Sequence, residues 1–198
     1  MNTVGRPRDP LLDSRVFAGA CDLYGRKGWA GFSVETLSKE SGVGKASIYL
    51  RWPDKAALLL DALAARILLP EDIDTGTVRG DLRELALDNL RMYLGPAGDA
   101  ALRLISESRI VPEIEPGWRL IREAHVLAVR SIVRRGIERH DLPRNTPVTL
   151  VLDALFGGLL MHVQTTPATH IDELPSQMTA YADHFVDFIL SAATATSD

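Results

Sequence analysis

Between Ser33 and Asp54 the chain has room for two helices, both very short, and this constrains its fold more than any other feature. Ser33 can cap the first with its hydroxyl, Glu35 lies near the positive end, and Val34 and Leu37 face inward. Gly42 ends that helix, because glycine enters the left-handed conformation without a side-chain clash. After only Val43 and Gly44 the second starts at Lys45 and carries Ile48 and Tyr49. It stops ahead of Pro53, which pushes the preceding residue out of the helical region. Two helices across so tight a turn suit a helix-turn-helix: Val43 and Ile48 fill the inner angle, and Lys45, Ala46, Ser47, Tyr49 and Arg51 surround the exposed side. The pattern equally suits a plain helical hairpin whose polar residues are only solvated.

Helical periodicity runs through the rest of the chain, so the expected fold class is all-α. The first helix opens with Asp9 as cap and Pro10, carries Val16, Ala20, Leu23 and Tyr24 inward, and stops at Gly28. Asp54 caps a fourth helix that Pro70 closes. Further helical stretches are expected at 79–94, 99–111, 116–139, 146–165 and 172–193, with Pro and Gly at the breaks. The division follows: a small head at 1–54, a bridging helix at 54–69 and a larger helical domain at 70–198.

Composition excludes several classes. The 46% hydrophobic content over 198 residues supports a core. No apolar run follows the N-terminus as in a signal peptide, and no segment of membrane-spanning length is free of charge, so a cytoplasmic protein with no membrane partner is expected. One cysteine, Cys21, is read as a small hydrophobe and excludes a disulfide framework or a Cys-based metal site. No catalytic motif is present, the five histidines lack metal-ligand spacing, and neither enzymatic activity nor a cofactor is expected. Net charge is −4, yet residues 1–60 hold nine Lys and Arg against six acids, and all four lysines lie at or before Lys55. A basic head on an acidic body fits an anionic partner. Gly44-Lys45 is not a phosphate loop: Ala46 stands where Ser or Thr is required, Lys39 stands at the earlier glycine position, and the flank is helical.

From Gly5 to Leu63 the chain resembles the DNA-binding domain of the tetracycline-repressor (TetR) family of bacterial transcription regulators. The strings GRPR, LYGRKG and FSVETLSKESGVGKASIYLRWPDKAALL carry the resemblance. It implies that Lys45, Ala46 and Ser47 meet base edges in the major groove, where Lys and Ser donate to acceptors and Ala46 touches a thymine methyl. It implies phosphate contacts for Tyr49, Arg51, Lys55, Ser33 and Thr36, and a minor-groove arm at Arg6 and Arg8. Gly44 departs from the family's usual capping Ser or Thr, and Ser38 and Ser41 stand where alanine is usual.

The larger domain is read as a dimerisation and ligand-binding unit. Thr146-Pro147 is expected to cap a helix that is apolar almost all round from Leu150 to Val163, broken by Asp153, and Gly157-Gly158 permits a close approach of backbones. Leu174, Met178, Tyr181, Phe185 and Phe188 form a seam on the last helix. The resemblance implies a homodimer through these two helices, with Leu155, Gly157, Gly158, Leu159, Met178, Tyr181, Phe185 and Phe188 at the interface. Two heads on a twofold axis read a palindromic operator in double-stranded DNA. A small-molecule pocket is also implied, with Met92, Tyr93, Ile105, Trp118, Ile121, His125, Phe156 and Met161 as candidates. The expected function is a repressor released from DNA by a small effector; a regulator answering to a protein partner is the alternative, and an all-α enzyme a more distant one.

Overall fold

The computed structural model describes residues 10–67, 72–167 and 169–195, and every regular element among them is helical. In chain order these are α1 (Pro10–Gly31), α2 (Val34–Ser41), α3 (Lys45–Tyr49), α4 (Lys55–Arg66), α5 (Val78–Leu94), α6 (Gly98–Glu107), α7 (Glu115–Glu138), α8 (Val148–Thr165) and α9 (Leu174–Ala195). A single 3-10 turn at Ile171–Glu173 leads into α9. α6 is shorter than expected because the chain tightens after Glu107, whose carbonyl accepts from Ile110 at 3.0 Å. Arg6, Arg8, Asp9 and Pro70 lie outside the described residues.

The chain forms two compact units, and they do not divide at one point in the sequence. The first contains α1–α4 together with residues 99–117, and so takes in most of α6 and the first residues of α7; the second contains α5, α7 from Trp118 on, α8 and α9. In the first, Val16, Ala20, Leu23 and Tyr24 of α1 and Leu58, Leu59 and Ala62 of α4 are fully buried. Cys21 packs with them, its thiol directed at the Ala62 carbonyl at 3.6 Å, and burial raises its pKa to about 11, which makes it unreactive. α1 breaks at Gly28, as its sequence requires: φ is 65° there, and a Cβ would come within 2.4 Å of Glu107 Oε1. A wider side chain at Gly25 would likewise meet Asp99. α6 therefore docks on the end of α1 through two glycines, and Arg103 Nε donates to the Gly25 carbonyl at 2.9 Å.

In the second unit α5 packs against both α8 and α9. Val151, Leu155, Leu159 and Val163 recur every fourth residue on α8 and are buried, as are Ala182, Val186, Ile189 and Ala193 on α9. Asp81, fully buried in the first turn of α5, accepts from the Thr75 N–H at 2.6 Å and the Thr75 hydroxyl at 2.7 Å. Its other oxygen faces Arg135 at 3.4 Å and Arg139 at 3.7 Å. These arginines thus answer carboxylates near α5 rather than only the negative end of their own helix. Arg79 and Arg83 of α5 pair with Asp183 of α9 at 3.2 and 2.9 Å.

Several expectations for this unit are corrected. Pro147, not Thr146, occupies the cap position of α8; the Thr146 hydroxyl instead donates to the Pro143 carbonyl at 2.7 Å. Leu155 and Leu159 are 0% exposed within one chain and so unable to reach a partner, because the period of α8 turns them toward its own core. Gly158 admits Phe185 of the same chain, since a Cβ there would lie 2.2 Å from the ring. α8 is long and apolar enough to cross a membrane by length and composition alone. Asp153 interrupts it, and Val151, Leu155, Leu159 and Val163 pack one side of it against its own chain.

Candidate nucleic-acid interface

Ser33 accepts the Thr36 N–H at 3.1 Å and starts α2, while its own hydroxyl donates to Thr36 Oγ1 at 2.9 Å. Gly42 ends α2 at φ 69°, in the left-handed region. Ser41 then completes the turn: its hydroxyl donates to the Leu37 carbonyl at 2.7 Å and accepts the Val43 N–H at 3.3 Å. The departure from alanine at this position therefore has a structural use that sequence reasoning missed. Gly44 starts α3 with no side-chain cap, as its lack of a hydroxyl requires.

Val43 and Ile48 are buried at the inner angle, at 4% and 0% exposure. Lys45, Ala46, Ser47, Tyr49 and Leu50 point to solvent. α3 is held at its far end by Trp52, which is buried, donates from Nε1 to Asp61 at 2.9 Å and meets the edge of Phe17. One apolar side chain thus anchors the helix and its polar side is left outward.

The cations of this face already have partners. Glu35 lies between Lys45 and Lys39, at 3.2 and 3.3 Å, and hydrogen bonding to Lys45 and then Lys39 lowers its pKa. Arg51 is paired with Asp13. Lys55 Nζ donates to the Trp29 and Phe32 carbonyls at 3.0 and 3.3 Å and sits 3.9 Å from the centre of a Trp29 ring. Lys55 is therefore a fastener within the unit, in addition to any outward contact.

Of the candidate ligand residues, Met92, Tyr93, Ile121 and His125 are buried in the second unit. His125 stacks on Phe156 with ring centres 4.5 Å apart, and burial lowers its pKa to about 4. Ile105 belongs to the first unit and Trp118 to the second, so the eight do not share one unit. Met161 is 55% exposed, not turned inward. Two cavities of the second unit, of about 180 and 360 Å³, are lined by other residues.

Of the candidate interface residues that remain, Phe188 is 69% exposed and Gly157 has open space around its Cβ position. Met178, Tyr181 and Phe185 are half-buried. His162, Tyr181 and Phe185 form a stacked column within the chain, with ring separations of 3.7 and 5.6 Å.

A helix-turn-helix on a small helical unit, with a larger all-helical unit after it, defines a class of bacterial transcription regulator. Residues 16–62 match the family of bacterial regulatory proteins of the tetR family, and residues 72–188 match the tetracyclin repressor-like C-terminal domain. The regulator AqdR of Rhodococcus erythropolis is 30% identical over 162 residues, covering 81% of this chain and 75% of its own. Among solved structures, MexZ of Pseudomonas aeruginosa superposes with a TM-score of 0.73 at 18% identity, covering 96% of this chain and 98% of its own. FadR of Bacillus subtilis, in complex with stearoyl-CoA, superposes at 0.72 and 17% identity, covering 90% and 97%. The chain belongs to the TetR family: it is a DNA-binding transcriptional regulator and not an enzyme.

Proposed function

We propose that the protein is a cytoplasmic homodimeric repressor that binds a palindromic operator and leaves it when a small molecule occupies the second unit. The observation that carries the reading is the outward polar side of α3, with Lys45, Ala46 and Ser47 exposed around the buried Ile48. Such a helix presents hydrogen-bond donors and a methyl group at the scale of a major groove. Tyr49, Arg51, Lys55, Ser33 and Thr36 are assigned to the phosphates, with Arg51 giving up Asp13 as it docks.

Dimerisation is supported by the outer face of α8 and α9. Leu150, Ala154, Gly157 and Met161 follow one another at helical spacing on α8, with Leu150 63% and Met161 55% exposed, and Phe188 of α9 is 69% exposed. A second copy would take this apolar surface from water; the seam reads as Gly157, Met161, Tyr181, Phe185 and Phe188. The effector is assigned to the apolar surroundings of Met92, Tyr93, Ile121, His125 and Phe156. A fold neighbour that holds an acyl-CoA makes an apolar ligand the first class to screen. The ligand acts only through different affinities for the DNA-competent and DNA-incompetent states.

Selection of bound duplexes from a random pool, followed by gel-shift titration, tests the reading. Lys45→Ala is expected to weaken binding and Ser47→Ala to change sequence preference. Unchanged binding in both variants overturns the assignment of α3.

A further inference from the structure

The carboxylate of Glu35 bridges the two helices of the turn motif from the exposed side. It holds Lys45, the first residue of α3, at 3.2 Å and Lys39, in the last turn of α2, at 3.3 Å. All three side chains are about half exposed or more, so neither burial nor packing requires the bridge. The neighbouring acids have other uses: Glu40 pairs with Arg26 at 2.7 Å, Asp54 caps α4 at the Ala57 N–H, and Asp13 pairs with Arg51. An acid placed between two lysines of a DNA-reading head opposes the attraction that head most needs.

We propose that Glu35 is a specificity-determining residue, which withholds Lys39 and Lys45 from indiscriminate phosphate contact and, with Lys45, favours a G·C pair. The inference rests on the proposed DNA-reading face of α3. Binding to arbitrary sequence comes almost wholly from lysines and arginines on phosphates. Each such contact by Lys39 or Lys45 must first break the bridge and leave a bare carboxylate beside the anionic backbone. A matching base pair removes that penalty. A G·C pair offers the C N4 amino donor beside the G O6 and N7 acceptors in the major groove, and a paired carboxylate and ammonium are complementary to that arrangement. The bridge is then kept, and discrimination arises because binding elsewhere is made worse.

Glu35→Ala tests this, because the residue is exposed and the Ser33 cap of α2 does not involve it. Affinity is measured over a salt series on a random-sequence duplex and on a duplex selected by the wild-type protein. The variant is expected to bind the random duplex roughly three- to tenfold more tightly, with a salt slope steeper by about one for each lysine released to a phosphate. The selected duplex gains less or loses affinity, and reselection with the variant drops a G·C preference. Equal gains on both duplexes, no change on either, or an unaltered selected pattern overturns the proposal. If instead the wild type binds no duplex, or Lys45→Ala and Ser47→Ala both leave binding unchanged, the DNA-reading assignment itself fails.

Discussion

Glu107 and Trp29 are joined through the backbone: the carboxylate accepts the Trp29 N–H at 2.9 Å, 78 positions earlier in the chain. The same carboxylate lies 3.4 Å from Arg103, whose Nε holds the Gly25 carbonyl. Glu107→Ala is expected to destabilise the protein by about 1–3 kcal/mol, since it strands a backbone donor just past the Gly28 break. Denaturant melts that place the variant at wild-type stability would refute the joint.

Lys55 grips Trp29 from the other side, through the carbonyl. Lys55→Met keeps the apolar stem and removes the ammonium, so stability should fall by about 1–2 kcal/mol. The salt slope of DNA binding should also become shallower by roughly 0.9, as for one lost phosphate contact. Lost stability with an unchanged slope would confine Lys55 to holding the head together.

Asp81 is the fully buried carboxylate that collects Thr75, Arg135 and Arg139. Asp81→Ala leaves two guanidinium groups without that counter-charge and the Thr75 N–H unmet, and is expected to cost about 3–5 kcal/mol. Thermal unfolding and far-UV circular dichroism read the loss.

His125 is neutral in the folded state down to a pKa of about 4, whereas an unfolded histidine titrates near 6.5. Between these values the unfolded chain binds more protons, so its contribution to stability is present above the unfolded pKa and is lost as pH falls from about 6.5 to about 4. The full effect is at most about 3 kcal/mol. His125→Phe keeps a ring against Phe156 and should flatten this part of the stability profile measured by urea titration.

His140 has a positive φ of 65°, and the Asp141 and Leu142 N–H groups behind it both reach the Gly136 carbonyl, at 2.8 and 3.1 Å. It closes α7 where glycine is the unstrained choice. His140→Gly should stabilise the protein by roughly 0.5–1 kcal/mol, the relief of the left-handed side chain less the added freedom of the unfolded chain. A lowered denaturation midpoint would contradict this.

Local chemistry made the first four helices readable. Ser33, Gly42, Pro53 and Asp54 punctuate the chain strongly, and each sets a boundary that neighbouring residues alone decide. The two faces of α8 were not readable in this way. Val151, Leu155, Leu159 and Val163 are no more apolar than Leu150 and Met161, so a helix apolar all round gives no sign of which side its own chain covers. On α9 the large residues drew attention to the outer seam, while the inner line rests on Ala182 and Ala193, whose small size conceals their burial. Spacing likewise places Lys45 and Glu35 on exposed turns, but their meeting across Gly42-Val43-Gly44 depends on the three-dimensional path of that turn. Ser41 carried a signal, a hydroxyl at the end of a helix beside an unmet N–H, that a search for capping groups at both helix ends would have found.

The grip of α6 on the end of α1 sets an order for assembly. A ribosome delivers the helix-turn-helix well before it delivers Arg103 and Glu107, so for a stretch of synthesis the Gly25 carbonyl and the Trp29 N–H lack the partners that α6 brings. The nascent head becomes complete only after α5 has also been made, and a chain arrested before residue 107 carries its DNA-reading residues without the helix that finishes their support.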